Sequence, residues 1–172
     1  MQKKAKETVA IQEIGALMQN IERENTRSGN ANYPDYFGGI YLDNKFDIVM
    51  IVVGQNPENF RKMAEEKVKQ VKIHLKKGEY SMNQLIKTKD RLDNLMKNLS
   101  SVSIRNNFIS VVLDEKRNRI NITLKDISPA KIDEFKKALF DSPQFIFDKG
   151  EGEIIDIAGI NPGSAIRPAG RT

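Results

Sequence analysis

One stretch decides the fold of this 172-residue chain: residues 36–54, YFGGIYLDNKFDIVMIVVG. Residues 37–42 predict a strand, and residues 43–45 predict a turn because Asp and Asn tolerate left-handed backbone angles. Residues 46–53 predict a second strand, whose IVMIVV run is apolar on both faces and therefore needs cover on both sides. The GG pair precedes no helix, so we interpret it as permitting a bulge or a close backbone approach, not as a nucleotide loop.

A helix and a third strand complete the unit. Asn56 can cap a helix, and Pro57 suits the first turn of that helix. Residues 71–76 alternate apolar side chains with Lys and His, which predicts a strand with one exposed face.

The same pattern returns 72 residues later. Matching pairs are Ile48 and Ile120, Met50 and Ile122, Pro57 and Pro129, Ile73 and Phe145, and Gly78 and Gly150. The turn residues Asp43 and Asp114 lie 71 apart, so the second turn is about one residue longer. Shared offsets of this kind indicate a duplicated ββαβ unit. The second copy is more polar, with Asn121 and Thr123 in place of Val49 and Ile51.

Two amphipathic helices flank the first unit. The first carries Ile11, Ile14, Leu17, Met18 and Ile21 at helical spacing, and the second carries Leu85, Leu92, Leu95 and Leu99 after the capping residue Ser81. The leucine stripe lasts fewer than three heptads, so core packing is favoured over a coiled coil. Both helices are candidates to cover the second face of the first sheet.

The predicted fold class is α+β: duplicated ββαβ units forming two small, mainly antiparallel sheets with packed helices, plus an N-terminal helix and a connector helix. The predicted organisation is an N-terminal helix at residues 1–30, lobe one at 36–79, a connector helix at 80–101, lobe two at 103–157, and a flexible tail or linker at 158–172. The sequence leaves the strand order within each lobe open.

Composition limits the possible functions. The formal net charge of +5 is spread along the chain, unlike the clustered charge of nucleic-acid-binding proteins. There is no Cys, which excludes disulfides, thiolate catalysis and Cys-ligated zinc. No apolar run approaches the ~20 residues of a membrane helix, and the start of the chain does not read as a signal peptide. We therefore expect no membrane partner.

Residues that could support catalysis are scarce. His74 is the only His and lies on the polar side of a predicted strand, with no indicated carboxylate or nucleophile beside it. Asp43 and Asp114 belong to separate turns, which favours turn stabilisation over paired acid-base chemistry. The basic run at residues 67–77 lacks the Arg and aromatic residues of a nucleic-acid surface. We predict a binding or scaffolding protein that is not an enzyme, with no catalytic residue, cofactor, metal or nucleic-acid partner.

The opening stretch and the later VKIHLKKGEYSMNQL resemble the pro-regions of alpha-lytic protease and streptogrisin-like secreted serine proteases. In that family an aromatic-Gly-Gly hairpin with a following Asp leads into an apolar strand, matched here by FGG at residues 37–39 and by Asp43. The YS pair at residues 80–81 matches the start of the family's connector helix, and Leu85 follows one residue later than usual. The resemblance covers about residues 37–126, and the family's pro-regions are also two-lobed.

The resemblance implies an intramolecular chaperone and inhibitor of a chymotrypsin-fold serine protease, in a secreted bacterial protein. Such a pro-region stabilises the folding transition state of its protease and then inhibits the folded product. It implies that an edge strand of lobe two extends a protease sheet by β-augmentation. It also implies that the C-terminal stretch lies in the protease active site. The residues that would make this contact are Ile157, Ile160, Asn161, Pro162, Gly163, Ser164, Ala165 and Ile166.

The chain also departs from a protease precursor. One His and no Gly-Asp-Ser-Gly motif cannot supply a chymotrypsin-type catalytic set, and the family's Trp residues are missing. A stand-alone protein-binding scaffold or adaptor, acting through sheet edges or the first helix, is therefore the alternative. A weak nucleic-acid binder is a third hypothesis, and the sequence predicts neither the cleavage site nor the oligomeric state.

Overall fold

The computed structural model describes residues 3–27 and 33–151. Its helices are α1 (Lys3–Arg27), α2 (Arg61–Lys67, preceded by a 3-10 turn at Pro57–Phe60), α3 (Met82–Lys97), α4 (Val102–Asn107) and α5 (Pro129–Ala138). Its strands are β1 (Phe37–Leu42), β2 (Ile48–Val53), β3 (Ile73–Gly78), β4 (Phe108–Asp114), β5 (Arg119–Leu124) and β6 (Phe145–Lys149). The prediction of an α+β fold is confirmed.

Each lobe contains a three-stranded sheet with its second strand in the centre. The strand orders are β1-β2-β3 and β4-β5-β6. The first two strands of each sheet run antiparallel, whereas the second and third run parallel because a helix connects them. The third strand therefore lies beside the second and not beside the first, which settles the order that the sequence left open.

The two sheets repeat one another in detail. A bulge falls at Gly38 in β1 and at Ile109 in β4. Phe46 and Asn118, at the ends of the two hairpin turns, both have left-handed backbones with φ of 58° and 52°. Equivalent hydrogen bonds join Val53 N–H to Tyr36 O and Lys125 N–H to Asn107 O, and likewise Ile48 N–H to Lys72 O and Ile120 N–H to Gln144 O. These matches confirm the duplicated ββαβ unit.

Helix α1 packs on the lobe-one face that α2 also covers. Leu17 and Ile21 are fully buried in one cluster with Met50 of β2 and with Val68, which follows α2. Ile11 is 51% exposed, so its assignment to the buried stripe is wrong. The adjacent Ala10 faces the sheet instead and is fully buried.

Helix α3 packs into the cores of both lobes. Its first residue, Met82, joins the lobe-one cluster, whereas Leu85 and Leu92 join the lobe-two cluster with α5 and the inner face of β5. Leu95 is 39% exposed, so it does not belong to the buried stripe, and Met96 on the next helical position takes its place. Ser81 caps the helix in a reciprocal capping box with Gln84.

The second face of the lobe-one sheet is covered without a helix. Ile51 of β2 points to this face and is only 1% exposed. Its Cγ2 methyl group lies against the backbones of Gly38 and Gly78, so a Cβ atom at either glycine would collide with it. The hairpin turn of lobe two closes the same space, since Asn118 Oδ1 lies 3.0 Å from the position of a Cβ at Gly78. Two glycines and the other lobe thus supply the cover that we had expected from α1 or α3.

A buried carboxylate fastens α1 to lobe one. Glu13 is 7% exposed and accepts the N–H groups of Lys69 and Gln70 at 2.7 Å and of Val71 at 3.2 Å. One side chain therefore satisfies three consecutive backbone donors between α2 and β3, which fixes where α1 lies. Among the helices of residues 3–27 and 33–151, none combines the length and apolar character required to cross a bilayer.

Candidate functional site

The predicted C-terminal contact residues, Ile157 and residues 160–166, lie outside the described residues. The other half of the predicted partner-binding surface is the sheet of lobe two, which the structure describes. Within the described ranges, β4 and β6 each pair on one side only, with β5. On the outer face of this sheet, Val112 of β4 is 46% exposed and lies in register with Asn121 and, one strand further, Ile146. Lobe two thus presents a partly apolar outer face and two sheet edges.

The backbone of β6 is oriented for pairing with a further strand. Gln144 O accepts the N–H of Ile120, and Gly150 N–H donates to Leu124 O, so the even-numbered residues of this strand bond toward β5. Residues alternate in a parallel ladder, so the N–H and C=O groups of Phe147 and Lys149 point away from β5, to the side of β6 on which no described strand pairs. An edge with free backbone groups is a template for strand addition.

An ion-pair network holds this edge strand to the hairpin. The Arg117 guanidinium donates to Asp114 Oδ2 at 2.6 Å and to both carboxylate oxygens of Asp148 at 3.1 and 2.6 Å. The hydrogen bond from Arg117 is the main reason that the pKa of Asp148 lies below its ordinary value. Asp114 belongs to β4 and Asp148 to β6, so one side chain spans the outer face and restrains the edge.

The turn between β4 and β5 binds lobe one through Asn118. This residue is 5% exposed, and its Oδ1 accepts the N–H groups of Glu79 and Tyr80, both at 2.8 Å. Its Nδ2 donates to the C=O groups of Gly38 at 3.0 Å and Tyr80 at 2.7 Å. All four hydrogen bonds of the amide therefore go to the backbone of lobe one and of its connection to α3.

Two charged residues flank this contact. Glu115 Oε2 accepts the N–H of Ile40 at 3.3 Å, so a side chain caps a backbone donor on the free edge of β1. Arg119 pairs with Glu79 at 2.7 Å and places its guanidinium 4.7 Å from the centre of the Tyr80 ring. The turn of lobe two is thus a protein-binding element in its own right, whose partner is lobe one.

Sequence reasoning missed this contact. It predicted a second hairpin turn at Asp114 but no partner for that turn, because the groups that Asn118 bonds lie 38 to 80 residues away along the chain. The only available signal was the 72-residue repeat, in which Asn118 is equivalent to Phe46. Both residues have a left-handed backbone. An Asn there satisfies the backbone preference and supplies an amide, whereas Phe supplies only a ring.

His74 lies beside carboxylates that the sequence did not indicate. His74 is exposed, as expected, and its Nε2 lies 3.7 Å from Asp47 Oδ2. Ligand atoms of Asp43, Asp47 and His74 lie within 4.8 Å of one another, a set that could hold a metal ion. However, the Lys6 ammonium donates to Asp47 Oδ1 at 2.6 Å, and this hydrogen bond is the main cause lowering the pKa of Asp47. In this arrangement the cluster ties α1 to the β1–β2 turn.

A polar groove of about 530 Å³ opens between the end of β2 and the start of α3. Asp35 and Lys87 bring opposite charges to its lining, which also includes Gly54, Ser81 and Gln84. Gln84 and Ser81 already bond to each other in the helix cap. Asn83 of the lining likewise bonds to the backbone of Tyr33, so three of the polar lining residues are engaged within the fold.

One protein-family model, described as a Pro-like C-terminal domain, matches residues 83–150. This segment contains nearly all of α3 and the whole of lobe two through β6. No curated protein matches the chain. The description points to a propeptide-like domain, a non-catalytic type of domain, in residues 83–150.

Proposed function

We propose that this chain is a pro-region-like folding assistant and inhibitor of a chymotrypsin-fold serine protease, and that it binds the protease through lobe two. One observation carries the proposal. The segment similar to a Pro-like C-terminal domain coincides with the lobe whose sheet ends in β6, and no strand among the described residues pairs with the outer edge of β6. On this proposal the protein acts outside the cell, together with its protease.

The proposed mechanism is strand addition to β6. A protease strand that pairs with Phe147 and Lys149 gains backbone hydrogen bonds on an edge that Arg117 already restrains. Proteins rich in non-local β contacts fold slowly, because chain entropy is lost before those contacts form. A preformed edge supplies such contacts early and lowers the barrier. The same edge stays bound to the folded protease, and residues 157–166 would then occupy the active site and inhibit it.

The test uses the full chain with two purified proteases of the family, alpha-lytic protease and a streptogrisin. We expect the chain to inhibit peptide hydrolysis and to accelerate recovery of activity after dilution from denaturant. Lys149→Pro removes an outward N–H without touching the ladder to β5, so it should weaken inhibition about tenfold. Lys149→Ala keeps that N–H and serves as the matched control, with inhibition unchanged within about twofold.

Equal inhibition by the Pro and Ala variants would rule out β6 as the docking edge. If neither protease is inhibited or refolded faster, the proposed function is wrong for this class of protease. Recovery of a non-protease partner in a pull-down with the same chain would then favour the stand-alone adaptor. A reading frame that continues beyond residue 172 into catalytic TAGH and GDSG motifs would support the proposal that the partner is a serine protease.

A further inference from the structure

Three side chains of lobe one converge beside the turn between β1 and β2. Asp43 follows β1, Asp47 precedes β2, and His74 lies on β3, the neighbouring strand of the sheet. One ligand atom from each of the three lies within 4.8 Å of the other two. A tetrahedral Zn²⁺ ion holds such atoms about 3.4 Å apart. The remaining contraction is therefore about 1 Å, which is within reach of side-chain rotation.

The turn holds one oxygen of the Asp43 carboxylate in place. Asp43 Oδ1 accepts the backbone N–H groups of Lys45 at 2.8 Å and of Asp47 at 2.9 Å. No described residue forms a hydrogen bond or an ion pair with Asp43 Oδ2. Metal-binding carboxylates are commonly oriented in this way, by hydrogen bonds from the surrounding protein. The fold thus orients Asp43 without engaging its second oxygen.

Asp47 has a similar arrangement in a buried setting. Its side chain is 7% exposed, and its Oδ1 accepts a hydrogen bond from the Lys6 ammonium at 2.6 Å. Its Oδ2 lies 3.7 Å from His74 Nε2, which is beyond hydrogen-bond distance. Burial of a carboxylate is costly unless its charge is paired and its oxygens are bonded. A metal ion between Oδ2 and the imidazole nitrogen satisfies both atoms.

The internal repeat shows that the fold does not require this set of side chains. Lobe two carries Arg119 and Ile146 at the positions of Asp47 and His74. The turn Asp is kept there as Asp114, but its Oδ2 accepts a hydrogen bond from a guanidinium of the same turn. Both lobes nevertheless form the same hairpin and the same sheet. The combination of two carboxylates and an imidazole is therefore particular to lobe one.

The Lys6 ammonium is the cation that this cluster already binds. Its Nζ also donates to the C=O of Lys45 at 2.7 Å, so it fastens the start of α1 to the turn. A dication on Asp47 Oδ2 lies only the width of one carboxylate from this ammonium. Like charges at such a distance repel each other even in water. Binding of the dication and binding of the ammonium therefore weaken each other.

We propose that Asp43, Asp47 and His74 form a site for a divalent transition-metal ion, and that this ion and the Lys6 ammonium compete for Asp47. Zn²⁺ suits one imidazole and two carboxylates, whereas Mg²⁺ and Ca²⁺ prefer oxygen ligands. Metal binding displaces the ammonium and loosens the start of α1 from the β1–β2 turn. The site lies in lobe one and does not depend on the proposed protease partner.

The test is calorimetric titration of Zn²⁺ into the full chain at about pH 7.5, where imidazole is a neutral ligand, with amide NMR to locate the binding. We expect a dissociation constant on the order of 10 μM, with shifts around Asp43, Asp47 and His74. Asp43→Asn keeps an oxygen for the turn and removes the second carboxylate oxygen, and His74→Gln changes an exposed side chain. Each variant should weaken binding at least about tenfold.

Lys6→Met tests the competition directly. Removal of the ammonium should tighten Zn²⁺ binding about tenfold, because the repulsion is lost and Asp47 Oδ1 is released. Lys4→Met is the matched control, since it removes the same charge from an exposed position of the same helix. Solvent and salt screen that charge, so the dissociation constant should change less than about twofold.

Three results would overturn the proposal. The first is the absence of Zn²⁺ binding at about 1 mM, a hundred times the expected dissociation constant. The second is binding by Asp43→Asn and His74→Gln that is as tight as in wild type, which would mean adventitious metal binding only. The third is equal affinity of Lys6→Met and Lys4→Met, which would mean that the ammonium does not compete. None of these results involves a protease, so the proposed function stands or falls separately.

Discussion

At the scale of single residues, Asn118 does the most to join the two lobes. It meets two requirements that few side chains meet together. The left-handed backbone is tolerated by Asn, and the short amide offers two donors and a two-site acceptor within reach of four backbone groups. Loss of the amide leaves buried donors and acceptors of lobe one unpaired, which costs more than the net value of the bonds themselves.

Replacement of Asn118 tests this role. Asn118→Gly keeps the left-handed backbone and removes the amide, so the free energy of unfolding should fall by about 2–3 kcal/mol in urea denaturation. Asn118→Ala should lose about 1 kcal/mol more, because Ala is strained at a φ of 52°. Asn98→Ala is the control, since its amide donates to one exposed C=O, and its effect should stay below about 0.5 kcal/mol. If Asn118→Gly were as stable as this control, the four hydrogen bonds of the Asn118 amide would not stabilise the contact between the lobes.

The residues of this contact show where sequence reasoning stops. The hairpin turn that begins at Asp114 is a local property, and its presence was predicted correctly. The hydrogen bonds from Asn118 Nδ2 to the Gly38 C=O and from the Ile40 N–H to Glu115 Oε2 join residues 75 to 80 positions apart, and no local preference encodes such a distance. His74 was predicted to be exposed, but its neighbour Asp47 lies in the connection between β1 and β2 and could not be assigned from the sequence.

At the scale of elements, periodicity and turn signals predicted the strands and the helices other than α4, which was not predicted. The repeat indicated that the same succession of elements occurs twice along the chain. The strand order within a lobe needed the structure, because strand alternation is equally compatible with the third strand at either edge. The helices were harder to place than to predict. Hydrophobic stripes show that α1 and α3 are amphipathic, yet buried polar anchors such as Glu13 decide which sheet face α1 covers.

Glu13 provides the test at this scale. Glu13→Ala leaves three backbone N–H groups between α2 and β3 without their carboxylate, and the free energy of unfolding should fall by about 2–3 kcal/mol. Amide hydrogen exchange should show faster exchange in α1 and in residues 69–71 than in lobe two. The matched control is Glu66→Ala, an exposed position on α2. Uniform acceleration across both lobes would instead mean that α1 belongs to a single cooperative unit.

At the scale of the whole molecule, the lobes are joined by a contact that responds to pH. Burial raises the pKa of the Glu115 carboxyl above its ordinary value of 4.5; the hydrogen bond from Ile40 opposes this shift and Asp114 adds to it. Tyr33 lies near enough for Glu115 to help raise its pKa, after burial and Glu22. The folded protein therefore holds a proton on Glu115 more tightly than the unfolded chain does. The free energy of unfolding consequently falls as the pH rises from about 4.5 through the raised pKa of Glu115.

Comparison of wild type with Glu115→Gln between pH 3 and pH 8 isolates this effect. Gln keeps an acceptor for the Ile40 N–H but does not ionise, so the variant should gain stability relative to wild type as pH rises above about 4.5. Asp148→Asn should show the opposite trend. Arg117 lowers the pKa of Asp148, so wild type holds its advantage above about pH 4 and loses it in stronger acid. If the free energy of unfolding depended on pH in the same way for wild type and Glu115→Gln, the prediction for Glu115 would be wrong.

The binding of the lobe-two turn to the edge of β1 also sets an order of events during synthesis. Lobe one leaves the ribosome first, but the groups that cap Ile40 N–H and Gly38 C=O belong to residues 115 and 118. Until those residues emerge, the nascent first sheet exposes the start of β1 and lacks part of the cover over Ile51. An open edge on an apolar sheet is prone to wrong pairing. The N-terminal half of this protein is therefore protected by a segment that is translated about 75 residues later.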